Sequence, residues 1–236
     1  MNIIEIERLF ILKNQDELEQ IEGKVISLGF ELKVQSSQHN CYYDFPDHRL
    51  EKKGTRLRFR YNEYYKLLTS LPKSLDLEID KTNQLIVIDD YEGNIIEKYN
   101  GELSLSKEWF DKDHNDVRDQ ISFELDNLEV FVDLENIFKK IGFINSFIIN
   151  KERKEYGLNY FDDFRKSIHI EIDSNILVKS QYPDVSLENT LQICVEKDTL
   201  ELTNQEIEIF IKKLNSESLE LTTKNYFERA KEKLKV

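Results

Sequence analysis

Polar and apolar residues alternate with period two over much of the chain, and in several stretches the charged set is the regular one. In "IEIERLF" (4–10), Glu5, Glu7 and Leu9 fall on one side of an extended strand and Ile4, Ile6, Arg8 and Phe10 on the other. In "TRLRFRY", Arg56, Arg58 and Arg60 share a side, with Leu57 and Phe59 behind. "NKERKEY" aligns Lys151 with Arg153, "SIHIEIDS" aligns His169, Glu171 and Asp173, and "LQICVEK" aligns Gln192, Cys194 and Glu196. Each strand alone would suit the solvated face of an antiparallel sheet. Same-sign neighbours two residues apart repel, however, so faces that are all acidic or all basic predict that opposite charge lies between them.

Helical periodicity interrupts these strands. "NQDELEQIEGKVISLGF" sets Leu18, Ile21, Val25 and Leu28 on one stripe, with Asn14 as N-cap, Glu17 three residues on and Gly29 as stop. "DLENIFKKIGF" repeats the scheme: Asp133 is expected to cap, Leu134, Ile137, Phe138 and Ile141 to form the stripe, and Gly142 to end it. Both units run through a Gly-Phe step into a strand, which suggests a repeated half. "TNQEIEIFIKKL" has Thr203 and Glu206 at capping-box spacing, and "TTKNYFERAKEKLKV" reads as an amphipathic C-terminal helix. "NQLIVIDDYEGNIIEKY" reads as a hairpin turning near Gly93 and Asn94. With 7 Gly and 3 Pro there is no flexible linker, so one domain spanning 1–236, with an insertion at about 62–101, is expected.

Composition narrows the functions. A chain of 236 residues with 39% hydrophobic content can bury a core. The formal charge of −13 opposes binding of duplex nucleic acid through a broad basic face. No apolar run reaches the roughly 20 residues of a membrane-spanning helix, and the acidic start does not resemble a signal peptide, so a cytoplasmic protein without a membrane partner is expected. Cys41 and Cys194 are too few for a disulfide framework. His39 and Cys41 alternate with Tyr43 but have no second pair at ligand spacing, so they are read as ordinary strand residues.

A barrel with acids on one inner wall and bases on another could bind a metal ion and a polyphosphate together. The sequence resembles the CYTH family, the triphosphate tunnel metalloenzymes, which includes class IV adenylyl cyclases, thiamine triphosphatases and inorganic triphosphatases. "EIERLF" resembles the family's E-x-E-x-K opening, and "CYYDFPDHRLEKKGTRLRFR" its Y-Y-D-T-P segment followed by L-R-x-R. "INKERKEY" resembles K-x-R-x-x-Y, "IHIEIDS" the acidic strand ending in L-D, and "TTKNYFE" the closing K-S-Y.

The resemblance implies an α+β fold: an eight-stranded antiparallel β-barrel tunnel with flanking helices. It implies Mg²⁺ or Mn²⁺ held by Glu5 and Glu7, with Glu171, Asp173 and Glu196 as further metal ligands. It assigns catalysis to Glu5, Glu7, Lys151 and Arg153. It assigns the grip on a triphosphate to Arg58, Arg60, Lys151 and Arg153, together with Lys107, Arg118 and Lys224. Leu9 stands where the family motif has lysine, and Cys194 where it has the first late acid. The expected activity is metal-dependent hydrolysis of a small triphosphate compound: inorganic triphosphate, thiamine triphosphate or a nucleoside triphosphate. The alternatives are a class IV-like adenylyl cyclase and a non-catalytic nucleotide or polyphosphate sensor. The expected partner is a small-molecule triphosphate or nucleotide, and a homodimer stays open.

Overall fold

The alternating stretches become the walls of a barrel. The computed structural model describes residues 4–67, 78–79, 86–89, 95–96, 99–110, 116–125, 128–158, 168–180, 182–197, 200–214 and 219–234. In chain order the elements are β1 (Ile4–Leu12), α1 (Gln15–Ser27), β2 (Phe30–Asp44), β3 (Thr55–Leu67), β4 (Glu78–Ile79), β5 (Ile86–Asp89), β6 (Ile95–Ile96), β7 (Tyr99–Phe110) and β8 (Asp116–Leu125). They continue with α2 (Leu128–Lys140), β9 (Ile144–Leu158), β10 (Ile168–Lys179), β11 (Val185–Ser186), β12 (Asn189–Lys197), α3 (Leu200–Leu214), β13 (Glu220–Thr222) and α4 (Tyr226–Leu234).

Antiparallel pairing runs β10–β12–β1–β8–β7–β3–β2–β9, and β9 pairs in turn with β10, which brings the order back to its start. Eight strands therefore form the expected barrel, with β11 on β10 and β13 on β1 as short additions. The helix–strand units α1–β2 and α2–β9 deliver their strands to adjacent positions, from Phe30 opposite Leu158 to Asp44 opposite Ile144. β5 and β6 pair antiparallel as the hairpin reading requires, although its turn lies outside the described residues. Among the described residues, no helix is long and apolar enough to cross a membrane.

Apolar packing lies mostly outside the barrel. Leu18, Ile21 and Val25 of α1 and Ile207, Phe210 and Leu214 of α3 cover Phe10 and Leu12 of β1, Ile170 and Ile172 of β10, and Leu191 and Ile193 of β12. Full burial of one such side chain stabilises the fold by about 1.5–3 kcal/mol. Arg8, on this same outer face, is buried and pairs with Glu208 of α3. α2 lays Phe131, Leu134 and Phe138 over Tyr43 and Phe59, where the Tyr43 hydroxyl donates to Glu135.

The third cluster differs. Phe147 and Ile149 continue the face of β9 that carries Lys151 and Arg153, and α4 packs Phe227 and Ala230 against them. α4 thus plugs one end of the interior, and Arg229 and Lys233 pin it to Glu188.

The caps are partly as the pattern predicts. Asn14 accepts from the Glu17 amide at 2.9 Å, and Gly29 ends α1 with φ +91°. Gly142 has φ +97°, and a Cβ at either glycine would meet nothing within 4 Å, so backbone conformation rather than space calls for glycine. Asp133 is not a cap, because α2 begins at Leu128 and the residue lies exposed in mid-helix. The apolar, strand-like "LEVFV" extends the helix upstream, bringing Phe131 onto Phe59, and this leaves Ile137 and Ile141 on the exposed side. Thr203 is likewise inside α3, which starts at Leu200.

Candidate functional site

Inward residues follow from pairing parity. On β1, β12 and β10 the Cα register sets Glu7 opposite Cys194 and Cys194 opposite His169, with Leu9 opposite Gln192 and Gln192 opposite Glu171. The backbone of Glu5 pairs with that of Glu196, while the side chains of both lie outside the described residues. Glu7, His169, Glu171, Gln192 and Cys194 are all buried, as is Leu9. This is the acidic wall.

Asp173, fully buried, organises the neighbouring wall. Its carboxylate accepts from Lys151 Nζ at 2.6 Å, from Arg153 Nε at 2.7 Å and Nη2 at 2.8 Å, from Gln192 at 3.3 Å, and from the Tyr226 hydroxyl. Arg153 also pairs with Glu171 through Nη1 and donates to Gln192. Burial opposes the charge on Asp173, yet Arg153 and Lys151 hold its carboxyl well below the usual carboxylate range. Burial also opposes the charge on Glu171, and Arg153 and His169 overcome it. The Tyr226 hydroxyl is pushed up by burial and by Asp173, so it remains a donor.

The basic wall is formed by β3 and β9. Arg58 pairs with Glu102 of β7 at 3.1 Å, while Arg60 donates through Nε to the neutral amide oxygen of Asn40 at 2.9 Å. Burial, with Arg58 and Arg153 nearby, lowers the Arg60 guanidinium to about 10. Burial, then Arg153, lowers the Lys151 ammonium to about 7, against the pull of Asp173. Like charges this close favour an anion among them. Arg58 Nε, Ser36 Oγ and Gln38 Oε1 are buried on the inner face with no hydrogen-bond partner among the described residues.

The residues singled out from sequence fare unequally. Glu7, Arg58, Arg60, Lys151, Arg153, Glu171 and Asp173 come together inside the barrel. Lys107 is exposed and alternates with buried Ser104 and Ser106, which places it on the outer face. Lys224 is exposed and pairs with Glu232 at 2.6 Å, and the inward contacts of that segment come from Tyr226 instead. Arg118 pairs with Glu108 along the backbone, and its side chain lies outside the described residues. Tyr226, Asn40, Glu102 and buried Glu155 were not singled out. Period two could have flagged Glu155 beside Lys151 and Arg153, whereas Tyr226 acts through a fold contact invisible locally. The His39 and Cys41 reading agrees with the structure: His39 stacks on Tyr61 and bonds Asn150, and Cys41 packs near Tyr43.

Glu171, His169 and Cys194 bring donor atoms within 4.8 Å of one another, a set that fits a divalent cation, and the basic wall fits a polyanion. A family model for the CYTH domain matches residues 3–226, and the chain belongs to that family. This family includes triphosphatases and adenylyl cyclases. No curated protein matches the chain. Among solved structures, PH1819 from Pyrococcus horikoshii is similar at 17% identity and a TM-score of 0.62, covering 97% of this chain and 99% of that one. A candidate adenylate cyclase from Vibrio parahaemolyticus is similar at 14% identity and a TM-score of 0.55, with 100% of both chains covered. HpAC1 from Hippeastrum, a candidate adenylyl cyclase with a dominant triphosphatase activity, is similar at 14% identity and a TM-score of 0.56, covering 96% of this chain and 93% of that one. At these identities the likeness concerns the fold.

Proposed function

We propose that the protein hydrolyses a small triphosphate compound inside the tunnel with the help of a divalent cation. The observation that carries this reading is the buried basic cluster: among the described residues, Arg58 keeps an unmatched Nε donor, and Arg60 has an amide rather than a carboxylate as its hydrogen-bond partner. Buried donors of this kind are satisfied by phosphate oxygens, to which guanidinium forks bond in pairs.

The residues divide the work. Arg153 has committed Nε and Nη2 to Asp173 and Gln192 and Nη1 to Glu171, so few of its five donors are left for substrate. It therefore positions Lys151 and the acids. Arg58, Arg60 and Lys151 grip the phosphate chain, and Glu7 and Glu171 hold the cation, with Glu5 and Glu196 next along the same pair of strands. A bound cation would supply charge to the phosphoryl oxygens during transfer. Asp173, saturated by five donor contacts, acts as an anchor rather than a ligand.

Incubation with Mg²⁺ or Mn²⁺ and, in turn, tripolyphosphate, thiamine triphosphate and ATP tests the reading. Orthophosphate release is expected from at least one of them, and Glu7→Gln should reduce it by roughly 100-fold or more. Pyrophosphate together with cyclic AMP from ATP would replace hydrolysis by cyclisation. Binding without any product would make the tunnel a sensor.

A further inference from the structure

Glu7 on β1, Cys194 on β12 and His169 on β10 stand in direct register, so one row of same-facing side chains crosses three neighbouring strands. Glu171 follows His169 on the same face. Cys194 is 0% exposed, His169 2%, Glu7 6% and Glu171 7%. The Cys194 sulfur, a His169 ring nitrogen and a Glu171 carboxylate oxygen all lie within 4.8 Å of one another.

We propose that this row holds a cation site that prefers a borderline ion of the zinc class to Mg²⁺, with Cys194, His169 and Glu171 as ligands and Glu7 next along the row. Thiolate and imidazole suit such ions, whereas Mg²⁺ takes oxygen donors and parts reluctantly with its waters. His169 Nε2 and Glu171 Oε1 are 3.9 Å apart, too long for a hydrogen bond. Ligands about 2.0–2.1 Å from a tetrahedral ion stand roughly 3.4 Å apart, so the pair has to close by only a fraction of an ångström. The competing arrangement is ion pairing of Glu171 with Arg153 and His169, with no cation among them. The inference rests on the tunnel reading for the inward face of these strands, and it requires no turnover.

Cobalt is the direct probe, because a thiolate ligand gives Co²⁺ a near-ultraviolet charge-transfer band that oxygen and nitrogen ligands do not. The full-length protein titrated with Co²⁺ should show this band at one ion per chain, Zn²⁺ should abolish it, and a large excess of Mg²⁺ should leave it in place. Cys41→Ser should keep the band. Cys194→Ser should remove it and weaken Co²⁺ binding at least 10–100-fold, the scale seen even for residues that only support a ligand. Cys194→Asp, which restores an oxygen donor, should shift preference toward Mg²⁺ and Mn²⁺. Circular dichroism verifies the fold of each variant, and if Cys194→Ser does not fold, the wild-type band and the Mg²⁺ competition still decide.

Co²⁺ binding without the band, a band that survives in Cys194→Ser, or displacement by equimolar Mg²⁺ overturns the inference. Calorimetry with tripolyphosphate in the presence of a chelator separates the two proposals. Tripolyphosphate binding without a cobalt band retires the cation site and leaves the tunnel reading, and a band without tripolyphosphate binding does the reverse.

Discussion

Asp173 shows what single residues do in this barrel. Its carboxylate is buried against Lys151 and Arg153, so removing its charge takes the paired carboxylate from Lys151 and leaves Arg153 with Glu171 alone, in a medium that penalises unbalanced charge. Asp173→Asn should therefore cost roughly 3–5 kcal/mol of stability in urea denaturation, and a loss under about 1 kcal/mol would contradict the anchoring role. The alternation of "IHIEIDS" and "NKERKEY" was enough to put Glu171 with Asp173, and Lys151 with Arg153, on common faces, while the inward direction of those faces came with the family resemblance. It could not divide labour among them, because that depends on which donors remain uncommitted after the strands pair. Lys107 failed for a related reason: Lys107 is one residue out of phase with buried Ser104 and Ser106, and one residue reverses the face.

At the scale of elements, the helices show where local pattern succeeds and where packing overrides it. The stripe of α1 and its Asn14 cap were legible because cap, period and stop all agree within seventeen residues. In α2 the signals conflicted. Asp133 offered a cap in the middle of what packing makes a longer helix, and Phe131, from a strand-like run, meets Phe59 with ring centroids 4.9 Å apart. Phe59, fully buried among Tyr43, Phe131 and Phe138, carries this docking. Phe59→Ala should cost about 3–5 kcal/mol by denaturant titration, and a change below 1 kcal/mol would mean that α2 is not held there.

The plug helix α4 gives a pH prediction. Burial works against ionisation of Glu188, but Lys233 and Arg229 lower its carboxyl from 4.5 to about 2. The folded protein thus binds fewer protons than the unfolded chain between these values. The contribution of Glu188 is complete above about 4.5 and is lost as pH falls toward about 2. The melting temperatures of wild type and Glu188→Gln should differ at pH 6 and converge as pH approaches 2. A constant gap would show that the Glu188 charge does not fasten α4.

For the whole molecule, the net charge of −13 does not prevent a local basic cluster, because the inner walls gather Arg58, Arg60, Lys151 and Arg153 beside Glu102, Glu171 and Asp173. Acids dominate the composition, whereas these four cations lie on β3 and β9, on either side of β2. Closure into a barrel was legible only through the family resemblance, and the order of strands was not legible, since pairing between β1 and β12 or β2 and β9 joins residues far apart in sequence. The plug formed by α4 left no such trace: "TTKNYFE" drew attention to Lys224, while Tyr226 reaches Asp173 and Phe227 packs on Phe147.

The central claim is that this interior takes a triphosphate. Calorimetric titration of tripolyphosphate into wild type and Arg60→Ala tests it most directly, with thermal melts to establish that both are folded. The account predicts saturable one-to-one binding to wild type that weakens roughly 10–100-fold in Arg60→Ala, as the loss of charge-assisted hydrogen bonds requires. Equal affinity in the two folded proteins, or no binding to wild type, would contradict it.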